Sequence, residues 1–213
     1  MPSSRRDALL WMLTAAAGGS SWAQTAAPAP AAAGSQPAAA PLEVAGFRFD
    51  PTFSLGGKSL FLNGAAVSYI LSVRTTVVAL YLQRKHTTVE GALAEPGPKR
   101  LCFYSLRDVS AKDLSNTFID RLRKNATSEE IAGNFIQIAQ FGSAFSNRSK
   151  LMKGDFVTLD YVPSTNHIDM TLNGQHIGET MTGEPFFRML MKIWMGARVR
   201  ESTREGLVGQ STS

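Results

Sequence analysis

The chain of 213 residues has one cysteine and three histidines, and this scarcity argues against several kinds of site. A single cysteine, Cys102, cannot form an intrachain disulfide, and we expect it to pack as a small buried hydrophobe. His86, His167 and His176 stand in polar, turn-like contexts, and none shows the spacing of metal ligands on a helix. A Gly-x-Ser-x-Gly elbow is also missing. The sequence therefore predicts no metal, no cofactor and no serine hydrolase.

Apolar runs of membrane-spanning length are missing too, and the main candidate is short and lies at the N-terminus. Arg5-Arg6 precede an apolar segment, residues 8–18, and Ser21-Trp22-Ala23 has small residues at the cleavage positions. This pattern predicts a signal peptide, residues 1–23, cleaved after Ala23. The arginine pair also resembles a twin-arginine signal. An uncleaved anchor is the alternative, but a span needs roughly 20 apolar residues. We therefore expect a periplasmic or secreted protein.

Large apolar residues are nearly absent from the next segment, residues 24–41, which is mostly Ala and Pro. Such a composition predicts a disordered linker. The folded domain is then residues 42–213, long enough to bury about 70% of its unfolded-chain surface. No later change in composition indicates a second domain.

The net charge of +5 is dispersed, apart from a cluster of Arg198, Arg200 and Arg204 near the C-terminus. A basic face is suited to an anionic membrane surface or to nucleic acid. Export argues against nucleic acid. Two interpretations remain. The charges either form an ordinary solvated surface or make peripheral contact with a membrane.

Residues 62–82 are the most apolar part of the chain and predict one or two long strands at the centre of a sheet. Asn63-Gly64 opens the stretch as a turn signal, and Val, Ile, Leu, Tyr and Thr dominate the remainder of the stretch. The few polar side chains inside it are the places where chemistry would appear. These residues are Ser68, Arg74, Thr75 and Thr76.

Further strands are predicted on both sides of this stretch. A first strand covers residues 42–53, broken at Asp50-Pro51, and another covers residues 99–107. Two more, residues 156–162 and 168–172, precede a two-residue hairpin turn at Asn173-Gly174.

Helical signals follow the middle strands. Ser110 is a predicted cap for a helix whose apolar side chains recur at Leu114, Phe118 and Leu122. Thr127 with Glu130 predicts a second helix by the capping-box pattern. Its expected apolar stripe runs through Ile131, Phe135, Ile138, Ala139, Phe141 and Phe145.

Three more helices are predicted: residues 89–94, a buried helix over 186–195 capped by Thr182, and a terminal helix over 201–208. Most strands are joined by turns too short for a parallel crossover. The fold class is therefore α+β, an antiparallel sheet with helices layered on one face.

Several segments, in this order, resemble the bacterial chalcone isomerase-like domain over about residues 42–207. They are Leu-Asn-Gly-Ala at 62–65, Val-Val-Ala-Leu-Tyr-Leu at 77–82, Leu-Arg-Asp-Val-Ser-Ala-Lys at 106–112, Lys-Gly-Asp at 153–155 with Leu-Asp-Tyr-Val-Pro at 159–163, and Ile-Trp-Met-Gly at 193–196. The resemblance implies an open-faced β-sandwich, in which a long antiparallel sheet and a layer of helices enclose an apolar ligand cleft.

The resemblance also implies four polar positions. In chalcone isomerases an arginine guides the substrate phenolate, and a threonine, a tyrosine and an asparagine bind the ketone side. Related fatty-acid-binding members keep the arginine for a carboxylate and have no isomerase activity. Here the arginine position is Ser68, the threonine is retained as Thr76, the tyrosine position is Leu114 and the asparagine position is Arg121. Arg121 or Arg74 could replace the missing arginine.

Three of these four polar groups differ, and losing one donor aimed at developing charge costs on the order of 10²–10³ in rate. The leading hypothesis is therefore non-catalytic binding of a fatty acid or similar apolar ligand, with the methionine-rich helix lining the cleft. The predicted ligand-binding residues are Ser68, Arg74, Thr76, Leu114 and Arg121. An isomerase of the chalcone isomerase type, with Thr76 as its catalytic residue, and a structural or interaction domain of the cell envelope remain as alternatives.

Overall fold

The computed structural model describes residues 40–210, so the predicted signal peptide and all but the end of the predicted linker lie outside the described residues. The elements in chain order are β1 (Leu42–Val44), β2 (Phe47–Phe49), β3 (Thr52–Leu55), β4 (Lys58–Ile70), β5 (Val73–Leu82), α1 (Val89–Ala94), β6 (Lys99–Ser105), β7 (Val109–Ser110), α2 (Ala111–Asn125), α3 (Ser128–Gly133), α4 (Phe135–Ser143), β8 (Lys150–Leu151), β9 (Phe156–Val162), β10 (His167–Leu172), β11 (Gln175–His176), β12 (Met181–Thr182), α5 (Glu184–Met195) and α6 (Glu201–Leu207).

Eight strands form one antiparallel sheet in the order β11-β10-β9-β6-β5-β4-β3, with β12 beside β10. The predicted turn at Asn173-Gly174 is confirmed, and both residues have the positive φ, 51° and 80°, that such two-residue turns require. The predicted α+β class is confirmed.

Most positions of strand β5 are apolar because its side chains alternate between two buried faces. Val78, Leu80 and Leu82 belong to a core that the helices cover. Val77 and Tyr81 belong to a second core on the opposite face, where β2 packs. Because both faces of the strand are buried, both sets of side chains are apolar.

The helix-side core is built mainly from α2, α5 and the sheet. Trp194 of α5 lies 5.7 Å from the ring centre of Phe103 on β6 and 5.0 Å from that of Phe118 on α2. Eight of the residues from Phe186 to Met195 are buried, as the apolar pattern predicts. Within residues 40–210, no helix is both long enough and apolar enough to cross a bilayer.

Two of the predicted helix starts are confirmed by their caps. The Ser110 hydroxyl accepts a hydrogen bond from the Asp113 amide at 3.3 Å, and Thr127 with Glu130 forms a capping box. The second helix, however, is two helices. At Asn134 the backbone leaves the helical region, with φ of −127° and ψ of 24°.

Because of this break, the predicted apolar stripe does not continue along one helix face. Phe135, which is predicted on the buried stripe, is 72% exposed, and Ile136 is 69% exposed. Ile138 and Phe141 remain buried, because they lie on the face of α4 that meets the core.

The prediction of a turn at Asn63-Gly64 is wrong. Both residues lie within β4, where the pairing with β5 shifts by one residue between Leu62 and Gly64. The Asn63 side chain is buried and donates a hydrogen bond to the Leu207 carbonyl at 2.7 Å. A Cβ on Gly64 would overlap the carbonyl oxygen of Gly206. These residues therefore let α6 pack closely on β4, and the actual turn falls at residues 71–72.

Two smaller predictions also change. The first strand is three short ones, because Ala45 and Gly46 take positive φ, 54° and 81°, and turn the chain between β1 and β2. The buried helix α5 begins at Glu184 after Gly183, whose φ is 103°, and has no side-chain cap from Thr182.

Candidate functional site

Three hydroxyl-bearing residues form a row across the middle of the sheet. Ser68 on β4 lies directly opposite Thr76 on β5, and Thr76 lies opposite Ser105 on β6. Opposed residues share a face, and Thr76 alternates with Val77 so that it shares the helix-covered face with Val78. The three side chains are 3%, 2% and 0% exposed. The row is therefore a buried polar strip beneath the helical layer.

Arg121 approaches this row from α2. It follows Leu114 by two helical turns and so lies near the face that carries the apolar stripe. Its Nη1 donates a hydrogen bond to Ser68 Oγ at 3.0 Å, and its Nη2 donates to the Tyr69 carbonyl oxygen. The helix thus places a guanidinium at the position where β4 ends.

The electrostatics of Arg121 leave it without a balancing carboxylate. Burial lowers the pKa of its guanidinium, and the charge of Asp120 opposes this effect. Asp120, however, pairs with Lys124 at 2.8 Å, and within residues 40–210 Arg121 forms no ion pair. Arginine stays protonated in proteins, so a positive charge persists in this half-buried position.

The other predicted site residues lie elsewhere. Arg74 is exposed at the start of β5, opposite Tyr69. Leu114 is fully buried in the helix-side core. The structure therefore brings Ser68 and Arg121 together with Thr76 beside Ser68, and leaves Arg74 at the surface and Leu114 as packing.

A groove of about 500 Å³ runs along α2 beside Arg121. Its walls include Ile70 and Leu71 from the end of β4 and the turn, and Lys124 and Arg198 on the basic side. Its volume lies within the usual range for small-molecule sites, about 300–1,000 Å³. Arg121 is thus one of the cations that line a groove bordered by the β4–β5 turn.

A larger groove, about 620 Å³, lies between β4, α6 and the β1–β2 hairpin. Its walls include Leu42, Ala66, Val67 and Gly206, but not Ser68, Thr76 or Arg121. We place the candidate site at the smaller groove, because Arg121, the cation that α2 brings to Ser68, lines it. Thr76 lines neither groove.

A second polar cluster lies at the other end of the sheet and was not predicted. Glu95 is 2% exposed, and its carboxylate accepts a hydrogen bond from Arg84 Nη2 at 3.0 Å and lies 2.7 Å from His86 Nε2. Burial by itself would raise the pKa of Glu95, but these two partners outweigh burial and hold that pKa below its usual range.

Beside it, Lys99 is completely buried and its Nζ donates to Glu184 Oε1 at 2.5 Å. Burial lowers the pKa of Lys99, and Glu184 opposes this. The pair ties the start of α5 to β6. In the part of the chain that the structure describes, no three His, Cys, Asp or Glu side chains are grouped as metal ligands would be.

Some residues at the candidate site carried no signal in the sequence. Ser105 joins the row only because β5 and β6 pair in this register. Lys124 and Arg198 line the groove from segments 74 residues apart in the chain.

An antiparallel sheet covered on one face by helices is the architecture that the resemblance to chalcone isomerase-like domains implies. The chain belongs to the chalcone isomerase-like family, whose profile matches residues 40–209. No curated protein matches the chain.

Among solved structures, 35 chains match. One of them is the Arabidopsis thaliana fatty-acid binding protein AtFAP1, with a TM-score of 0.58 and 12% identity. The match covers 80% of this chain and 97% of that one. At this identity the likeness concerns the fold.

Proposed function

We propose that this protein is a non-catalytic, exported binding protein for a fatty acid or a similar amphiphile with an anionic head. The observation that carries the proposal is the groove at Arg121, where a half-buried guanidinium has no carboxylate partner within residues 40–210. A charge that is partly removed from water is stabilised by a hydrogen-bonded partner of opposite sign. A ligand carboxylate supplies that partner.

The guanidinium has donors to spare. Of its five N–H groups, hydrogen bonds to Ser68 Oγ and the Tyr69 carbonyl use two. Charge-assisted bonds to a carboxylate are short and about twice as strong as neutral ones. In the proposed complex the head binds Arg121, and the apolar chain lies against Ile70 and Leu71 toward the groove mouth.

The family and the solved neighbour support binding without chemistry. The neighbour AtFAP1 is described as a fatty-acid binding protein, and the family resemblance implies that such members use an arginine for the carboxylate. In this chain that arginine is supplied by the helix rather than by the strand. Leu114 and Arg121 also stand where an isomerase would carry its tyrosine and asparagine, which removes two of the groups that hold the ketone.

A second candidate is an isomerase of the chalcone isomerase type acting on an unknown substrate. The buried row of Ser68, Thr76 and Ser105 favours it, because hydroxyls beside a cation can stabilise a developing enolate oxygen. This role requires substrate to reach Thr76, which lines neither groove.

Native mass spectrometry of gently purified protein, followed by displacement of a fluorescent fatty acid, tests the proposal. We expect a co-purified amphiphile, or saturable binding of the fluorescent fatty acid that an unlabelled one displaces. A clean apo mass without displacement would refute it and favour an envelope interaction domain with a packed interior. Turnover of a bound substrate that fails in Thr76→Val would favour the isomerase.

Export forms part of the proposal and rests on the N-terminal pattern of residues 1–23. N-terminal sequencing of protein expressed with its full leader is the direct test. A mature chain beginning at Gln24 supports export, whereas an intact N-terminus in the cytoplasm would contradict it.

A further inference from the structure

The turn between β4 and β5 presents an unusual side chain to solvent. Leu71 is 90% exposed and its backbone is left-handed, with φ of 55°. Such a position favours Gly, Asn or Asp, because a larger side chain crowds the following carbonyl. Val73, just after the turn, is 44% exposed. Residues that break a local preference without gaining packing are expected where the surface has a function.

Basic side chains surround this apolar tip. Arg200 Nη2 donates to the Leu71 carbonyl at 3.3 Å, and its guanidinium lies 4.5 Å from the centre of the Tyr69 ring. Arg198 lines the groove beside Leu71, and Arg74 is exposed at the start of β5. The tip is therefore an apolar point framed by guanidinium groups.

Acidic residues near the tip are largely neutralised. The grooves on its two sides contain Asp108, Asp113 and Asp120. Lys150 pairs with Asp108 at 3.2 Å, and Lys124 pairs with Asp120 at 2.8 Å. The arginines around the tip thus set the sign of this surface as positive.

We propose that this tip, defined as Leu71 and Val73 with Arg74, Arg198 and Arg200, docks on an anionic phospholipid bilayer. An exposed apolar residue inserts among the headgroups, and the surrounding cations bind anionic lipid. A protein partner would need about 800 Å² of complementary surface. A projecting turn with one prominent side chain suits a deformable lipid surface better.

The docking also suggests how the ligand reaches its site, and this part of the proposal rests on the proposed binding of a fatty acid at Arg121. Ile70 and Leu71 line the same groove as Arg121, so the tip forms part of its wall. With the tip in the headgroup layer, the mouth of the groove faces the bilayer. A fatty acid then passes from membrane to guanidinium without exposing its chain to bulk water.

Co-sedimentation with lipid vesicles tests the docking. The wild-type protein should bind vesicles of equal parts phosphatidylglycerol and phosphatidylcholine, lose binding as salt is raised, and bind phosphatidylcholine alone weakly. Leu71→Asn should lower partitioning about tenfold. Asparagine tolerates left-handed backbone, so this variant should fold at least as stably. The double variant Arg74→Gln with Arg198→Gln should lower partitioning about thirtyfold.

The matched control is Phe61→Asn. Phe61 is 42% exposed on the same strand but about 30 Å from Ile70 along it, so its loss should leave vesicle binding unchanged. Equal binding by wild type and Leu71→Asn would overturn the docking. So would a wild type that self-associates through Leu71 and ignores vesicles.

The two proposals fail separately. A protein that binds anionic vesicles but no soluble fatty acid retains the docking and loses the proposed function. A protein that binds fatty acid in solution but no vesicles retains the function and loses the docking.

Discussion

The guanidinium of Arg121 on α2 meets the hydroxyl of Ser68 on β4 at 3.0 Å. By family resemblance, Ser68 stands where a strand-borne arginine would be, and Arg121 stands where a helix-borne asparagine would be. On that alignment, the positive charge at this end of the sheet comes from the helix rather than from the strand. By the same resemblance, two of the three groups that would bind the ketone are replaced, by Leu114 and Arg121, and only Thr76 is kept. A site that keeps a positive charge and loses these two groups suits recognition of an anionic head more than turnover.

This relationship predicts that Arg121→Gln weakens fatty acid binding roughly tenfold to a hundredfold, the loss expected for a hydrogen bond to a charged group. The measurement is displacement of a fluorescent fatty acid. A fatty alcohol of equal chain length should bind wild type and Arg121→Gln similarly, because it lacks the charge that Arg121 pairs.

Arg123→Gln is the matched control, because Arg123 is exposed on the same helix. It removes the same charge from the same element without touching the groove. Equal losses in both variants would show that general charge, rather than the contact at Ser68, attracts the ligand.

Thr76→Val should change fatty acid affinity by less than about threefold. Thr76 is buried opposite Ser68 but lines neither groove, so a ligand at Arg121 does not contact it. Its hydroxyl contributes on the order of 1 kcal/mol to stability at most. Titration of the variant beside wild type checks this. A tenfold loss would place the ligand deeper, along the row of hydroxyls.

The predictable parts of the fold are those that depend on residues close together in the sequence. Ser110 and Thr127 carry cap signals that act within three residues, and Asn173-Gly174 is a turn wherever two strands flank it. The position of Arg121 against Ser68 was not predictable in this way. It depends on the β4–β5 turn at Leu71-Ser72, where the left-handed position holds a leucine rather than Gly, Asn or Asp. Asn63-Gly64 carries the stronger turn signal but serves the packing of α6.

That packing makes a prediction about Gly64. Gly64→Ala should destabilise the protein by about 1–3 kcal/mol, the usual range for overpacking, because its Cβ would overlap the Gly206 carbonyl. The control is Gly133→Ala on α3, where nothing lies within 4 Å of the added Cβ and the helix favours alanine. Thermal or denaturant unfolding measures both, and equal midpoints would mean that α6 moves aside.

The unpredicted cluster at Glu95 makes a prediction about acid stability. Hydrogen bonds from Arg84 and His86 hold the pKa of the Glu95 carboxyl below its ordinary value of about 4.5. A carboxylate whose pKa is lower in the folded than in the unfolded protein stabilises the fold above the unfolded pKa, and this stability is lost as pH falls through the folded pKa. We expect the free energy of unfolding to be steady near neutrality and to fall below about pH 4.5.

Glu95→Gln should therefore lower the free energy of unfolding at neutral pH by about 2–3 kcal/mol, because charge-assisted hydrogen bonds to a buried group are lost. The free energy of unfolding of this variant should also fall less steeply as the pH is lowered. Glu90→Gln is the matched control, because Glu90 is exposed on α1, only five residues earlier. Glu90→Gln should change neither the free energy of unfolding at neutral pH nor its dependence on pH in the acid range. Urea unfolding across the acid range distinguishes these outcomes. Parallel curves for wild type and Glu95→Gln would assign the acid sensitivity to other carboxylates, such as Glu130, whose pKa is lowered by Lys192 against the opposing effect of burial.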